Sequence, residues 1–174
     1  MRATVLHNAP GFRPITVAIA EAVDGARETL DIVNPYVAHP AMVRRIVRAA
    51  ACGVRVRLLV PAKANNPILA LAQRHHHIAL LEAGVQIWED PRMVHSKAFV
   101  RDGIEVLVGT CNLEAWSLQR SYEIDMRTRS PDLAAQFEER FFGPAIEMAQ
   151  PGTAPVGASR RTLSRAVAAF HWFL

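Results

Sequence analysis

A histidine and a lysine stand two residues apart in VHSKAFVRDGIEVLVGTCN, residues 94–112, inside a run that otherwise reads as buried strand. Desolvating two ionisable side chains costs free energy unless something compensates, so either this is a strand edge exposed by accident or a site is being built there. Strand side chains alternate between faces, which puts His95 and Lys97 on one side and Ser96, Ala98 and Val100 on the other. A neutral imidazole can attack phosphorus, and a fixed ammonium beside it can neutralise the charge of the phosphate under attack. A phosphodiester needs no metal where the protein supplies such cations and donors, so neither metal nor cofactor is expected.

Asn112 follows in GTCN, where its amide can donate to a phosphate oxygen. Glu123, a little further on, can orient and polarise an imidazole through Nδ1. Asp102 lies an odd number of residues from both His95 and Lys97, so parity turns it away from them and favours a role in tying down the turn. Ser117 reads either as a hydrogen-bonding partner near the phosphate pocket or as a helix cap. His39 could approach the pocket from a loop. The run His75-His76-His77 invites a metal, but consecutive helical residues point in different directions, and a partly solvated helix surface is the simpler expectation.

The elements that must position these residues alternate in type. ATVLH, ETLDIVNPY, VRVRLLVPA and VQIWED read as strands. PITVAIAEAVDGA, PAMVRRIVRAAACG and PILALAQRHHHIALLEAG read as helices, with proline at their starts and glycine as a stop after the last two. SKAFVRD and EVLVGT form two strands around the turn at Asp102-Gly103, and SYEIDMRTR alternates like a half-buried strand. PDLAAQFEERFFGPAIEMA is a helix interrupted near Gly143-Pro144. This order predicts an α/β fold, an α-β-α sandwich around a mixed β-sheet.

With these residues assembled, His95-Ser-Lys97, four residues and Asp102 match the HxKx4D signature of the phospholipase D superfamily. GTCNLEAWSLQRSYE resembles the continuation GSxN…S…E at Gly109, Asn112, Ser117 and Glu123. NPYVAHPAMVRRIVRAAACGVRVRLLVP and ALLEAGVQIWED are similar to cardiolipin synthases, in particular to their C-terminal half. The resemblance implies a covalent phosphohistidine, with a second histidine from a second motif copy protonating the leaving alcohol. It implies His95, Lys97, Asp102 and Glu123 as the catalytic set, and Lys97, Asn112 and Ser117 around the substrate phosphate. The implied reaction joins two phosphatidylglycerols into cardiolipin and glycerol. The alternatives are a homodimeric phosphodiesterase or nuclease, and a lobe without activity of its own. Such synthases usually carry two motifs behind a membrane segment, whereas this sequence has one motif, so a homodimer or a second half is implied. Trp116 and Ser121 stand where the family often has arginine and asparagine.

The chain has 174 residues, 51% hydrophobic and 21% charged, which suits one globular domain. No apolar run is long enough for a transmembrane helix, no signal peptide is legible, and Cys52 and Cys111 make no disulfide framework. The expectation is a cytoplasmic protein, peripheral on the inner face of a membrane. Net charge is +4, and Arg160, Arg161 and Arg165 of the tail supply three of those charges without an acidic neighbour. The sequence therefore divides into a catalytic domain at 1–149, a linker at 150–158 and a basic amphipathic helix at 159–174. In that helix Leu163, Ala166, Val167, Phe170 and Phe173 recur at helical spacing, followed by His171 and Trp172, which suits either a membrane interface or packing on the domain.

Overall fold

The alternating sequence folds as its periodicities require in a computed structural model, which describes residues 2–154 and 158–169. The first half runs β1 (Ala3–Asn8), α1 (Pro14–Gly25), β2 (Thr29–Val33), α2 (Pro40–Ala51), β3 (Arg55–Pro61), α3 (Pro67–Glu82) and β4 (Gln86–Asp90). The second half runs β5 (Lys97–Arg101), β6 (Glu105–Gly109), α4 (Ala115–Gln119), β7 (Glu123–Arg129) and α5 (Pro131–Phe137). A π-helical turn (Glu138–Phe142), α6 (Gly143–Met148), β8 (Gln150–Pro151) and α7 (Ala158–Ala169) complete it. The strands form one mixed sheet in the order β1-β7-β6-β5-β2-β3-β4-β8. Among the named strands, β2, β3 and β4 pair in parallel, as the helical crossovers between them demand, and the rest pair antiparallel. The expected α/β sandwich is what forms.

Proline occupies the first helical position of α1, α2, α3 and α5, where its missing N–H costs nothing. Asn66 and Ser130 cap α3 and α5 by accepting from backbone amides in the first turn. On one face of the sheet, Ile15, Ile19 and Val23 of α1 and Ile46 of α2 pack on Ile32, Leu58, Phe99 and Leu107. Each such buried side chain contributes roughly 1.5–3 kcal/mol. On the other face Phe142 and Ala145 pack on Val33 and Leu59, and Ala134 packs on Val100 and Val106.

The helix break expected near Gly143-Pro144 takes the form of the π-helical turn immediately before it. A proline ring clashes with the carbonyl four residues back, and a widened turn relieves that clash. Arg57 anchors the turn to the sheet. Its guanidinium donates to Asp31 Oδ1 at 2.7 Å and to Glu138 Oε2 at 2.6 Å, and lies 4.7 Å from the Phe142 ring centroid.

The segment read as a linker from Gln150 differs from expectation. Its first residues pair with Trp88 and Glu89 of β4, and the Gly152 amide donates to the Ile87 carbonyl at 2.8 Å. A Cβ at Gly152 would lie 2.5 Å from the Ile87 side chain, so only glycine allows this approach. Nor is the tail helix held away from the domain: Ser164 and Ala168 are buried, and Ala168 packs with Ala38 and Ala72 of α3. Leu163 stays exposed. Phe170, His171, Trp172 and Phe173 lie outside the described residues, as do the side chains of Arg160 and Arg161.

Candidate active site

The site forms at the end of the sheet where the parallel strands finish, which is where open α/β sheets present ligand crevices. Lys97 opens β5 opposite Gly109 at the end of β6, and Gly109 lies opposite Asp125 on β7. Residues paired in this way share a sheet face, so Lys97 and Asp125 flank a position without a side chain. A Cβ at Gly109 would sit 2.1 Å from Asp125 Oδ1 and 2.5 Å from Asp125 Cα, which is why glycine stands there. Asp125 is buried and accepts from the Thr110 amide at 2.9 Å and the Cys111 amide at 3.2 Å.

From the other side, fully buried Asn34 closes the same loop. Its Nδ2 donates to the Cys111 carbonyl at 3.2 Å, while its Oδ1 accepts from the Leu113 amide at 3.2 Å and the Tyr36 amide at 3.1 Å. Asn112 is therefore presented by a backbone fixed from two strands. Its Oδ1 is buried without a hydrogen-bond partner among the described residues. A buried acceptor left unmatched costs about 1–3 kcal/mol, the kind of debt that a ligand or water settles.

His95 and Lys97 come together as parity predicts. Lys97 is 5% exposed, and its Nζ donates to the His95 carbonyl at 2.6 Å and lies 2.8 Å from His95 Nδ1. The imidazole itself is exposed. Packing around the ring, and then the Lys97 charge, hold the His95 pKa below the ordinary imidazole value. It is therefore predominantly neutral at pH 7 and has a lone pair for attack. Burial also lowers the Lys97 pKa, against the opposing charges of Glu123 and Asp125. Burial in turn raises the Asp125 carboxyl, with the Cys111 and Thr110 amides opposing, and pushes the Cys111 thiol up, away from thiolate chemistry.

The other expected residues separate. Glu123 accepts from the Thr110 hydroxyl, and its charge acts on Lys97; no hydrogen bond joins it to His95 of the same chain. Ser117 is buried in the first turn of α4, where its amide donates to Glu114 Oε1 at 2.8 Å, so the cap is Glu114 and not Ser117. The structure does not bring Asp102 to the pair. It sits at the far end of β5 from Lys97, roughly 16 Å along the strand at 3.3 Å per residue. There its carboxylate accepts from the amides of Arg27 at 3.1 Å, Glu28 at 2.8 Å and Thr29 at 3.0 Å. Burial opposes its ionisation, but these amides hold its pKa below the usual carboxylate range.

His39 meets Gln119, with 2.9 Å between Nε2 atoms. His76 Nε2 faces the Ala38 carbonyl, and His77, 1% exposed, faces that of Thr153. His76 and His77 thus face different carbonyls, and His77 is core rather than helix surface. Among the described residues no cluster of three metal-ligating side chains occurs. Sequence reasoning missed Asp125 and Asn34. Asp125 was legible as a carboxylate in phase with Glu123 on one strand face, whereas nothing local in Asn34-Pro35 announces a partner 77 residues away.

His95 also borders a cleft of about 330 Å³ on the opposite side of the sheet end. Met93, Phe141, Pro144 and Met148 supply its apolar walls, and Arg92 and Arg140 its charge. Arg92 is paired with Asp90 at 2.7 Å. A phosphoryl group beside His95 thus has apolar surface within reach on one side and a buried ammonium on the other.

Several known proteins resemble this chain in sequence or fold. Nuc of Salmonella typhimurium, a phospholipase D family member, superposes with a TM-score of 0.76 at 17% identity, over 88% of this chain and 100% of that one. The phosphatidylserine synthase of Haemophilus influenzae Rd KW20 gives 0.73 at 15% identity, over 99% of this chain and 48% of its own. Cardiolipin synthase A of Serratia proteamaculans is 36% identical over 126 residues, which are 70% of this chain and 26% of that protein. The same figures hold for that of Yersinia pseudotuberculosis. The chain thus spans about a quarter of the length of these curated relatives. Residues 19–143 match the family described as cardiolipin synthase, PLD-like domain, and the chain belongs to that phospholipase D-like family.

Proposed function

We propose that this chain is a phosphatidyltransferase lobe of the phospholipase D type that acts on phospholipid, with joining of two phosphatidylglycerols as its reaction. The observation that carries the reading is the neutral His95 beside buried Lys97, opening onto an apolar cleft with arginines at its edge. Nucleic acid would be better served by a basic groove with stacking aromatics.

In the first step the His95 imidazole forms a bond to phosphorus and the bond from phosphorus to the departing glycerol oxygen breaks. That oxygen takes a proton from a general acid, the histidine of a second copy or second half. In the second step the hydroxyl of another phosphatidylglycerol attacks phosphorus, gives its proton back to that acid, and releases His95. Lys97 and the Asn112 amide bind the phosphate oxygens as charge accumulates on them. The supporting carboxylates are Glu123 and Asp125, acting through Lys97. Ser117 acts indirectly, through the α4 turn that shapes the loop, and Asp102 through the hairpin. Contact with the inner membrane face falls to the outer side of α7, where Leu163 and Arg165 are exposed. No helix among the described residues is long and apolar enough to cross a membrane.

Parallel assays on phosphatidylglycerol micelles and on single-stranded DNA, both with chelator, test the reading. The expected result is cardiolipin and glycerol from lipid, lost in His95→Ala, with intact DNA. DNA cleavage lost in His95→Ala, with inert lipid, would replace this reading with a nuclease. A particle of twice 19.2 kDa by light scattering in mild detergent is the expected active form.

A further inference from the structure

The helical layer on the α1–α3 side carries a second feature unrelated to the chemistry at His95. Between α2 and α3 runs an open groove of about 440 Å³, lined by Pro40, Val43, Val47, Arg44, Arg48, His76 and Ala79. Val43 is buried in the core and Val47, one helical turn on, is half-buried against it, while Arg44 and Arg48 form the adjacent exposed row. Both arginines are exposed, neither enters an ion pair among the described residues, and no acidic residue lines the groove. The third arginine of the helix, Arg45, differs in being tied to Asp24.

The core accounts for the valines, but nothing in the fold accounts for the two exposed arginines. Two unneutralised guanidinium groups gain nothing from the core, and the apolar surface beside them that stays open to water is that of exposed Ala79 and half-buried Pro40 and Val47. The arrangement matches an anionic amphiphile, with alkyl chain against Pro40, Val47 and Ala79 and headgroup phosphate between the arginines, whose stems extend over apolar surface while their heads stay in water. The groove begins at Pro40, next to His39, whose amide donates to the carbonyl of Leu113, the residue after Asn112, at 2.9 Å.

We propose that the α2–α3 groove is a docking surface for anionic phospholipid of a bilayer, and that it holds the membrane beside the mouth of the active site. The choice of a bilayer over an acidic amphipathic helix rests on reading the site as one for phospholipid. Charge complementarity supplies the rest. Two arginines near a surface of anionic lipid each strengthen attachment about fivefold, an effect that salt screens.

The test is sedimentation of the full chain with vesicles of phosphatidylcholine alone and of phosphatidylcholine containing phosphatidylglycerol, at low and high salt. A bimane reporter placed at Ala79→Cys in a Cys52→Ser background reads the groove itself. The expected result is binding to the anionic vesicles only, with a blue-shifted reporter. Binding falls at least tenfold in Arg44→Gln/Arg48→Gln and further in Arg44→Glu/Arg48→Glu. The Gln variant guards against misfolding, since it keeps helix propensity, and its melting temperature should equal the parent's. Unchanged binding in both variants, or a reporter that stays in water while the chain sediments, overturns the proposal. So does a reporter that shifts only with an added acidic amphipathic peptide. Hydrolysis of soluble bis(p-nitrophenyl) phosphate should be the same in the Gln variant and the parent. If the parent shows no such hydrolysis while the vesicle results hold, the reading of the catalytic site fails and the docking surface stands.

Discussion

Asp102 offers the sharpest separation between membership of a motif and participation in chemistry. It has φ 52° and is followed by Gly103 at φ 62°, the left-handed pair that a primed hairpin turn requires. Its carboxylate also gathers three amides at the entrance to β2, so it staples the β5–β6 turn to a strand more than 70 residues earlier. Hydrogen bonds to a charged group contribute about 1.5–3 kcal/mol, and these are partly solvated, so the set as a whole should contribute about 2 kcal/mol. Asp102→Ala loses that and adds about 1 kcal/mol for alanine in a left-handed conformation. Asp102→Asn keeps one acceptor and tolerates the backbone, so it should lose only about 1 kcal/mol. At roughly 2–4 °C per kcal/mol for a domain of this size, alanine should lower the melting temperature by about 6–12 °C. Urea unfolding followed by tryptophan fluorescence reads the stability. Phosphodiester turnover per folded molecule, measured well below both transitions, reads the chemistry. The expected outcome is lost stability with turnover per folded molecule unchanged. Turnover abolished in Asp102→Asn with stability intact would refute the reasoning and return Asp102 to the catalytic set.

Three further outcomes follow from the same structure. Burial holds His77 down at about 4, against 6.5 when unfolded, so the folded state binds fewer protons in between. Stability is therefore fully present above pH 6.5 and falls by about 3 kcal/mol as pH drops through that window to about 4. Urea midpoints at pH 7 and 4.5 should show this, and His77→Phe should flatten the dependence. Gly109→Ala should cost roughly 3 kcal/mol, because its Cβ meets the Asp125 backbone as well as its carboxylate; an unaffected denaturation midpoint would contradict the close approach. Lys97→Met removes the charge that helps depress His95, so the imidazole titration followed by NMR should move upward towards the ordinary value. A titration that stays in place, or falls, would show that Lys97 does not set it.

The sheet and the pair were legible because both follow from local periodicity. Strand parity put His95 and Lys97 together and turned Asp102 away, and Asp-Gly marked the turn. What escaped was set by contacts distant in sequence. Asn34 meets the 111–113 loop only because β2 lies beside β5, and Asp125 meets Lys97 only through the register across Gly109. The tail misled for a related reason. Gln150 to Thr153 has a linker's composition, yet small residues such as Gly152 are what close packing on β4 requires, and that packing buries His77. Ala168 likewise carries little hydrophobicity, and it faces α3 because two helices approach closest where side chains are small.

The most direct measurement is mass analysis of the chain, in its active assembly, mixed with phosphatidylglycerol and quenched at high pH within a turnover. A phosphatidyl adduct on the peptide that contains His95, absent in His95→Asn, is the expected result. An adduct on any other residue, or lipid turnover that persists in His95→Asn, would contradict the assignment of His95 as the nucleophile.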